Sequence, residues 1–338
     1  MIDLPTIWFV LIGVLLVGYA LLDGFDLGVG ILSPFIARGA EQRGLLMETI
    51  GPVWDGNEVW LLTMGGALFA AFPIVYATVF SGFYLAMMLL LLALILRAVA
   101  MEFRHHIEAP RWLRAWDGVL WLASFLVALL LGVAIGNIAR GLPLVAGNYA
   151  DGLIGLLNPF SLCVGLLAVA MFVMQGASWL VLRTEGDLAQ RARRSGVLAW
   201  AAFIVMWLVV TAYSTVEATA LWSNYGNPVA WLAPVLFVAA AVATGYALWK
   251  VRSDWLPIVS SSLSIAALIA ILGVGLYPNL VVDRNGGAGL TVSNASSSDL
   301  TLTVMLIIVI IGVPLVLIYT GFVYYRFTHK VTPGESYG

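Results

Sequence analysis

Long apolar runs separated by short polar connections dominate the sequence. A helix needs about 20 mainly apolar residues to cross a bilayer core of roughly 30 Å. Nine stretches of the chain meet that length, and they cover approximately residues 6–34, 53–73, 76–103, 114–138, 159–182, 195–216, 228–250, 256–277 and 300–325. The runs are too long for barrel strands and do not alternate between apolar and polar positions. The pattern therefore predicts an all-α integral membrane protein, with residues 1–338 forming a single polytopic transmembrane domain.

At two places the apolar pattern allows one helix more or one fewer than nine. Pro73 separates the second and third runs with almost no polar linker, and Asp55 and Glu58 lie early in the second run. Nine helices are compatible with two four-helix bundles plus one peripheral helix, although no internal repeat is evident. This arrangement rests on the count alone.

Composition agrees with the hydropathy pattern. Of the 338 residues, 62% are hydrophobic and 10% are charged, whereas soluble domains average about 25% charged residues. Lipid must therefore cover most of the surface. The net charge of −2 gives no basic patch for nucleic acid, and the single Cys163 excludes a disulfide framework. The first six residues contain no Lys or Arg, so we expect no cleaved signal peptide.

The basic residues give the predicted helices an orientation. Fourteen of the 16 Lys and Arg fall at the ends of odd-numbered runs: Arg38, Arg43, Arg97, Arg104, Arg111, Arg114, Arg183, Arg191, Arg193, Arg194, Lys250, Arg252, Arg326 and Lys330. Only Arg140 and Arg284 lie on the other side. Because Lys and Arg concentrate in cytoplasmic loops, nine helices place the N-terminus outside and the C-terminus in the cytoplasm.

Several carboxylates lie inside predicted membrane helices, where ionisable groups are costly and usually functional. Asp23 and Asp26 are three residues apart in the first run, and so are Asp55 and Glu58 in the second, so each pair shares a helix face. Arg97, Asp117 and Gln175 fall at the same level near the cytoplasmic side, according to the predicted topology. The sequence therefore predicts one polar layer that recruits residues from five runs.

Two interpretations of this layer remain open. Buried carboxylates can bind and release protons near neutral pH, so Asp23, Asp26, Asp55, Glu58 and Asp117 are candidates for a proton path from the cytoplasm. Alternatively, the layer is a structural set of ion pairs. In that case Arg97, the candidate charge partner, or Arg104 would neutralise Asp23, Asp26 or Asp55.

Other residues have simpler expected roles. Gly24 and Gly28 form a small-xxx-small pair that favours close helix packing. The three histidines, His105, His106 and His329, lie at predicted cytoplasmic helix ends. Since haem in a membrane bundle usually needs an axial His, Met or Cys, and Met in apolar runs normally packs in the core, we expect this chain to ligate no metal.

Seven stretches, in order over nearly the whole chain, resemble subunit II of the cytochrome bd quinol oxidases. They are Asp23-Gly-Phe-Asp-Leu-Gly-Val-Gly, Gly51-Pro-Val-Trp-Asp-Gly-Asn-Glu-Val-Trp-Leu, Gly66-Ala-Leu-Phe-Ala-Ala-Phe-Pro, Leu157-Asn-Pro-Phe, Gln175-Gly-Ala, Asn294-Ala-Ser-Ser-Ser and Leu300-Thr-Leu. The Trp-Asp-Gly-Asn motif followed by Trp is the most specific of these. Nine helices and an outside N-terminus also agree with that family.

The resemblance implies a heterodimer of two related nine-helix subunits in the bacterial inner membrane. Such a complex oxidises quinol and reduces O2 to water with cytoplasmic protons, and small single-helix subunits can accompany it. Two b haems and one d haem are ligated by subunit I in this family. The resemblance links Asp26, Asp55 and Asp117 to haem-site integrity or proton delivery and places Trp60 near the entrance of an oxygen channel. Asp23 and Glu58 are candidates for the proton path from their spacing alone and not from the resemblance.

Two other classes of protein remain as alternatives. A proton-coupled transporter usually has paired broken helices at the bilayer midplane, whereas the acids here lie off-centre and no matched interrupted pair is evident. A purely structural partner would keep the acids only as ion pairs. The connections at residues 139–156 and between the sixth and seventh runs are short for the family, which leaves accessory contacts open.

Overall fold

Helices make up nearly all of the chain, as the apolar runs predict. The computed structural model describes residues 3–145, 148–251, 253–327 and 329–331. Its helices are α1 (Leu4–Ile36), α2 (Gly39–Glu48), α3 (Trp54–Ala71), α4 (Pro73–Gly82), α5 (Tyr84–Phe103), α6 (Pro110–Arg140), α7 (Gly152–Leu156), α8 (Pro159–Arg183), α9 (Gly186–Glu217), α10 (Leu232–Trp249), α11 (Trp255–Leu276) and α12 (Asp299–Phe327). Short 3₁₀ helices occur at Arg104–His106, Thr219–Gly226 and Pro228–Trp231.

Two small hairpins lie in the connections. Strand β1 (Leu144–Val145) pairs antiparallel with β2 (Asn148–Tyr149), and β3 (Asn279–Val281) pairs antiparallel with β4 (Leu290–Thr291). Leu142 bridges to Asp283, so the two connections are joined to each other. They form one end of the bundle, which we call the loop end. The opposite end carries α2 and is called the α2 end.

In the part of the chain that the structure describes, eight helices are long and apolar enough to cross a membrane. These are α1, α5, α6, α8, α9, α10, α11 and α12, with α5 and α10 extended by the adjoining 3₁₀ turns. Helix α3 occupies the second predicted run but is not among the eight. Its first turns contain Asp55, Asn57 and Glu58, which lower its hydropathy.

The predicted single helix over residues 76–103 is wrong, because the structure divides this region in two. Helix α3 ends at Phe72, and Pro73 starts the short α4, as expected for a residue that favours the first helical turn. A second break at Phe83 separates α4 from α5. The polar α2, which follows the first run, was also not predicted.

Helix α3 runs from one end of the bundle to the other. It begins just after α2, where the backbone N–H of Trp54 donates to the Ile50 carbonyl at 3.0 Å. It ends at the loop end, where the Ser297 backbone N–H donates to the Ala71 carbonyl at 2.8 Å. Eighteen residues of helix span about 27 Å, so α3 covers nearly the full thickness of a hydrocarbon core.

Helix α8 lies at the centre of the bundle, and 67% of its most apolar 18-residue window is buried. It crosses α1 where both helices lack side chains. A Cβ on Gly28 would lie 1.9 Å from the Phe172 carbonyl oxygen, and one on Gly176 would lie 2.5 Å from the Gly28 backbone. The predicted close packing at Gly24 and Gly28 is therefore confirmed, because only glycine permits this approach.

Helix α12 is the most peripheral of the long helices. Only 6% of its apolar window is buried. Its contacts with the bundle are mainly with α1 and α3. An apolar helix with so little cover must lie against lipid or another protein.

Candidate functional site

Arg97, on α5, is the centre of a buried ionic group. Its side chain is fully buried, and so is that of Asp23 on α1. The guanidinium holds Asp23 with two hydrogen bonds, from Nη2 to Oδ1 at 2.5 Å and from Nη1 to Oδ2 at 2.9 Å. A buried guanidinium is tolerated when it is paired in such a bidentate geometry. Arg97 is thus the charge partner of Asp23, as one of the two sequence interpretations predicts.

Two further carboxylates face the same guanidinium. Nη2 of Arg97 lies 3.9 Å from Oδ2 of Asp26, and Nη1 lies 3.2 Å from Oε1 of Glu58. Asp26 is fully buried, whereas the Glu58 side chain is 24% exposed. One positive charge therefore faces three carboxylates. Full ionisation would leave two negative charges uncompensated in a region of low dielectric, so the group has capacity to hold protons.

A chain of hydrogen bonds continues from Asp26 to the last helix. Nδ2 of Asn57 donates to Oδ2 of Asp26 at 2.8 Å, and the Tyr324 hydroxyl donates to Oδ1 of Asn57 at 2.8 Å. We call Asp23, Asp26, Asn57, Glu58, Arg97 and Tyr324 the inner cluster. The sequence analysis missed Asn57 and Tyr324. Asn57 could have been found as a buried amide inside an apolar run, whereas nothing in the sequence distinguishes Tyr324 from other tyrosines.

Aromatic rings fix the position of Tyr324. The Phe25 and Trp179 rings stack at 4.2 Å between centroids, and Tyr324 meets them edge-on at 6.3 and 5.9 Å. The indole N–H of Trp179 in turn donates to the Thr49 carbonyl at 3.1 Å. This packing links Tyr324 to the segment that follows α2 directly.

Asp117 belongs to a separate group at the α2 end. Its Oδ1 accepts from Nε of Arg104 at 2.7 Å, and its Oδ2 accepts from Nη1 of Arg43 at 2.9 Å. Nη2 of Arg104 also donates to the Ala40 carbonyl at 3.0 Å, which ties α2 to the bundle. We call Arg43, Arg104 and Asp117 the outer cluster. Here two guanidinium groups face one carboxylate, whereas in the inner cluster one guanidinium faces three carboxylates.

The predicted single polar layer thus divides into separate groups. Gln175 lies in a third group, in which Nε2 donates to Ser262 at 2.9 Å and Oε1 accepts from Ser261 at 2.6 Å. Asp55 is exposed at the start of α3, and its Oδ1 accepts from the Gly56 backbone N–H at 2.7 Å. The structure therefore brings together Asp23, Asp26, Glu58 and Arg97, but not Asp55 or Asp117.

Trp60 lies against α1 and beside a large apolar space. A Cβ on Gly18 would lie 2.2 Å from a ring carbon of Trp60, so glycine makes room for the indole. A cavity of about 1160 Å³ lies between α3, α5, α6 and α8. Its lining is almost entirely apolar and includes Leu61 and Leu62, which follow Trp60 directly.

The three histidines of this chain do not project into the interior of the bundle. All three histidines are exposed. His106 stacks on Phe103 with ring centroids 5.3 Å apart and contacts the Glu102 carbonyl at 3.1 Å. An axial histidine would have to project into the apolar interior. The histidines of this chain are therefore unsuited to binding a haem between its helices.

Comparisons with known proteins agree on one family. The family model described as cytochrome bd terminal oxidase subunit II matches residues 4–327. The chain is 38% identical to cytochrome bd-I ubiquinol oxidase subunit 2 of Escherichia coli K12, over 97% of this chain and 95% of the relative. It is 35% identical to cytochrome bd ubiquinol oxidase subunit 2 of Bacillus subtilis, over 99% of each.

A solved structure gives the same fold. A chain of the bd oxidase from Geobacillus thermodenitrificans superimposes with a TM-score of 0.80, covering 96% of this chain and 98% of that one. Their sequences are 18% identical, so this likeness speaks for the fold alone.

Proposed function

The chain belongs to the cytochrome bd terminal oxidase subunit II family, and from this premise we propose that it supplies a cytoplasmic proton path and stabilises the haem-bearing subunit I. It is a multi-pass protein of the bacterial inner membrane and part of an oxidoreductase complex of the respiratory chain. The reaction proposed for that complex is oxidation of quinol and reduction of O2 to water. The catalytic centre, with two b haems and one d haem, is assigned to subunit I.

We propose that α3 crosses the membrane as a ninth helix. Its length of about 27 Å and its position between the α2 end and the loop end support this. Of the basic residues that the structure describes, all except Arg140 and Arg284 then fall on the side of α2. By the positive-inside tendency, the α2 end is cytoplasmic, the N-terminus is outside and the C-terminus is in the cytoplasm.

The helix contacts support two four-helix bundles within one polytopic domain. Helix α1 packs on α3 and α6, and α5 packs on α6, which gives the first bundle. Helices α8 to α11 give the second, and α8 joins the two through α1 and α6. The poorly covered α12 is the peripheral helix.

Asp26 is the residue on which the proton-path proposal depends most. It is buried, it is only 3.9 Å from a guanidinium that Asp23 already engages, and its Oδ2 is held by Asn57. Asp23 and Glu58 share the charge of Arg97 with it, so protons can redistribute among three carboxylates. Asp117 lies at the cytoplasmic end of the path.

Asp55 remains part of the proposed proton path, at the boundary with subunit I, and Trp60 is assigned to an oxygen channel. Asp55 is exposed on this chain although it lies on a helix proposed to be in the membrane. We therefore propose that contact with a partner subunit buries it. Trp60 is proposed as the entrance of an oxygen channel, since its neighbours Leu61 and Leu62 line the apolar cavity. Small single-helix subunits remain a prediction.

The transporter alternative has less support. Among the described residues, the helix breaks at Phe72 and Phe83 lie towards the loop end, next to Ser297 and Tyr149. The inner cluster lies on continuous stretches of α1, α3, α5 and α12. Transporter sites are usually built on the broken helices themselves.

The whole complex tests the proposal. The chain would be co-expressed with subunit I, and haem content and quinol-dependent O2 uptake would be measured. Absence of both would overturn the oxidase function. Asp55→Asn, with the exposed loop-end Asp151→Asn as a matched control, separates conduction from scaffolding. Lost turnover with normal haem content supports conduction, lost haem supports scaffolding, and wild-type behaviour removes Asp55 from the proposal.

A further inference from the structure

A row of polar side chains on α6 leads from the outer cluster towards the inner one. Asp117, Trp121 and Ser124 are spaced by four and three residues, so they share one face of the helix. We call these three residues the α6 stripe. Asp117 is tied to the outer cluster, and Trp121 and Ser124 follow one and two turns further into the bundle.

The two inner members of the stripe hold unsatisfied polar atoms. Nε1 of Trp121 and Oγ of Ser124 are buried and have no hydrogen-bond partner in the part of the chain that the structure describes. Ser124 is fully buried. Most buried serines here donate instead to their own helix, as Ser178 does to the Met174 carbonyl at 2.8 Å. Orphaned buried polar atoms are rare in folded proteins and commonly mark a site for water.

Unsatisfied atoms of the same kind occur at both ends of the stripe. Among the described residues, Oδ1 of Asp26 and Nε of Arg97 have no partner in the inner cluster, and neither has Nε of Arg43 in the outer cluster. Oδ1 of Asp26 is the oxygen that Asn57 does not hold. Unsatisfied atoms therefore occur in the outer cluster, along the stripe and in the inner cluster, although Oγ of Ser161, on α8, is unsatisfied as well.

The helix geometry places Ser124 level with the inner cluster. Arg97 and Arg104 are seven residues apart on α5 and its 3₁₀ extension, and Asp117 and Ser124 are seven residues apart on α6. Each interval is about 10 Å along the axis. Since Arg104 contacts Asp117 and the helices run in opposite directions, Ser124 lies at the height of Arg97. A Cβ on Gly30 of α1 would lie 2.2 Å from Oγ of Ser124, and Asp26 is one turn before Gly30.

We propose that the α6 stripe binds water and passes protons from the outer cluster to Oδ1 of Asp26. The inference rests on the proposed proton path and deepens it. Each transfer is a hop in which an oxygen accepts one proton and releases another, so no electrons move. The Ser124 hydroxyl can accept and donate in this way. The Trp121 N–H only donates, so it positions a water, and the Asp26 carboxylate takes up the arriving proton.

Turnover of the intact complex with subunit I gives the first test. Ser124→Ala removes one hydroxyl with little change in volume, and Trp121→Phe removes the indole N–H together with part of the ring. We expect kcat to fall roughly three- to tenfold and the slowing in D2O to increase, while haem content and the KM for O2 stay unchanged. Ser178→Ala, a buried serine already satisfied within its helix, should match the wild type. Wild-type kcat and D2O effect in both stripe variants would overturn the inference.

Water access gives a second test that does not depend on turnover. Because Cys163 is the only cysteine of the chain, Ser124→Cys in a Cys163→Ala background carries a single thiol. A small charged methanethiosulfonate reagent, added at the cytoplasmic face of inverted membrane vesicles, should modify it, as read by the mass of the chain. The same reagent should leave Ser178→Cys unmodified. Equal protection of both thiols would contradict a hydrated stripe even if Ser124→Ala fails to assemble.

Asp26→Asn distinguishes failure of the inference from failure of the proposed path. If Asp26→Asn stops turnover while the stripe variants behave as wild type, the path stands and the α6 stripe is excluded from it. If Asp26→Asn turns over normally, the path to Asp26 is wrong, and the inference falls with it.

Discussion

The inner and outer clusters use the same kinds of side chain with opposite balance. In the inner cluster one arginine, Arg97, faces three carboxylates, all on helices in the membrane region. In the outer cluster two arginines, Arg43 and Arg104, face the single Asp117. The first has more negative groups than it can neutralise, and the second has more positive ones.

The different ratios of carboxylates to guanidinium groups suggest different roles for the two clusters. Excess carboxylates in a low-dielectric interior favour binding of protons, because protonation removes the uncompensated charge. In the outer cluster, where Arg43 is partly exposed and Arg104 is buried, the hydrogen bonds of the two guanidinium groups to Asp117 and Ala40 hold α2 against the bundle. The inner cluster is therefore suited to proton exchange and the outer one to anchoring.

The largest expected effect comes from removing the inner guanidinium. Arg97→Leu leaves three carboxylates without a counter-charge, and breaking a buried pair in this way costs about 3–5 kcal/mol. We expect the yield of haem-containing complex to collapse. Arg104→Leu should assemble, because Arg43 still contacts Asp117. Equal yields for the two variants would break the contrast between the clusters.

A second test compares the carboxylates themselves. Asp26→Asn keeps the shape of the side chain but removes its exchangeable proton, so turnover should fall about tenfold or more with haem content retained. Asp117→Asn should reduce turnover only about two- to threefold, since the Arg43 side chain beside it is partly exposed to water. Quinol-dependent O2 uptake, normalised to haem, measures both. A larger loss for Asp117→Asn would move the exchanging group to the outer cluster.

A third, smaller effect is expected at the edge of the inner cluster. Tyr324→Phe removes the donor to Oδ1 of Asn57 and leaves that oxygen buried without it, at a cost of about 1–3 kcal/mol. The melting temperature of the complex should fall accordingly. Tyr319→Phe is the control, because Tyr319 lies on the same helix and is 69% exposed. If the two variants have the same melting temperature, the hydrogen-bond chain from Tyr324 does not contribute to stability.

The smallest effect belongs to a solvated ion pair at the α2 end. Arg38 and Asp187 lie 3.4 Å apart with side chains 75% and 61% exposed. Exposed pairs contribute about 0–1 kcal/mol and are screened by salt. Arg38→Ala should therefore shift the melting temperature little at low salt and not at all at high salt. A decrease in melting temperature as large as that of Tyr324→Phe would show that this surface ion pair stabilises the complex as much as the buried hydrogen bonds do.

Local sequence patterns predicted the helices and part of the inner cluster. Hydropathy located the long helices, the spacing of Asp23 and Asp26 placed both on one face, and Gly24 and Gly28 indicated a close crossing. Arg97 was a candidate charge partner because the predicted topology put it at the level of the acids. These features are set within one helix, where periodicity is informative.

Features that depend on how helices meet were not predictable in this way. Arg104 was considered a partner for the acids of α1 and α3, but it lies two turns from Arg97 and pairs with Asp117. Gln175 joined serines of α11, and Tyr324 reached the cluster from the far end of the chain. Hydropathy also could not show the break at Phe83, because apolar residues continue across it, whereas Pro73 marked the break at Phe72.

The position of Tyr324 has a consequence for biogenesis. A ribosome synthesises α12 after every other helix described, yet α12 supplies the tyrosine that completes the contact with Asn57 on α3. The carboxylate pair of α1 must therefore wait, during membrane insertion, for nearly the whole polypeptide to be made. Proteases that survey newly inserted chains would find an open polar site in any nascent or truncated form, and a closed one only after the last helix has docked.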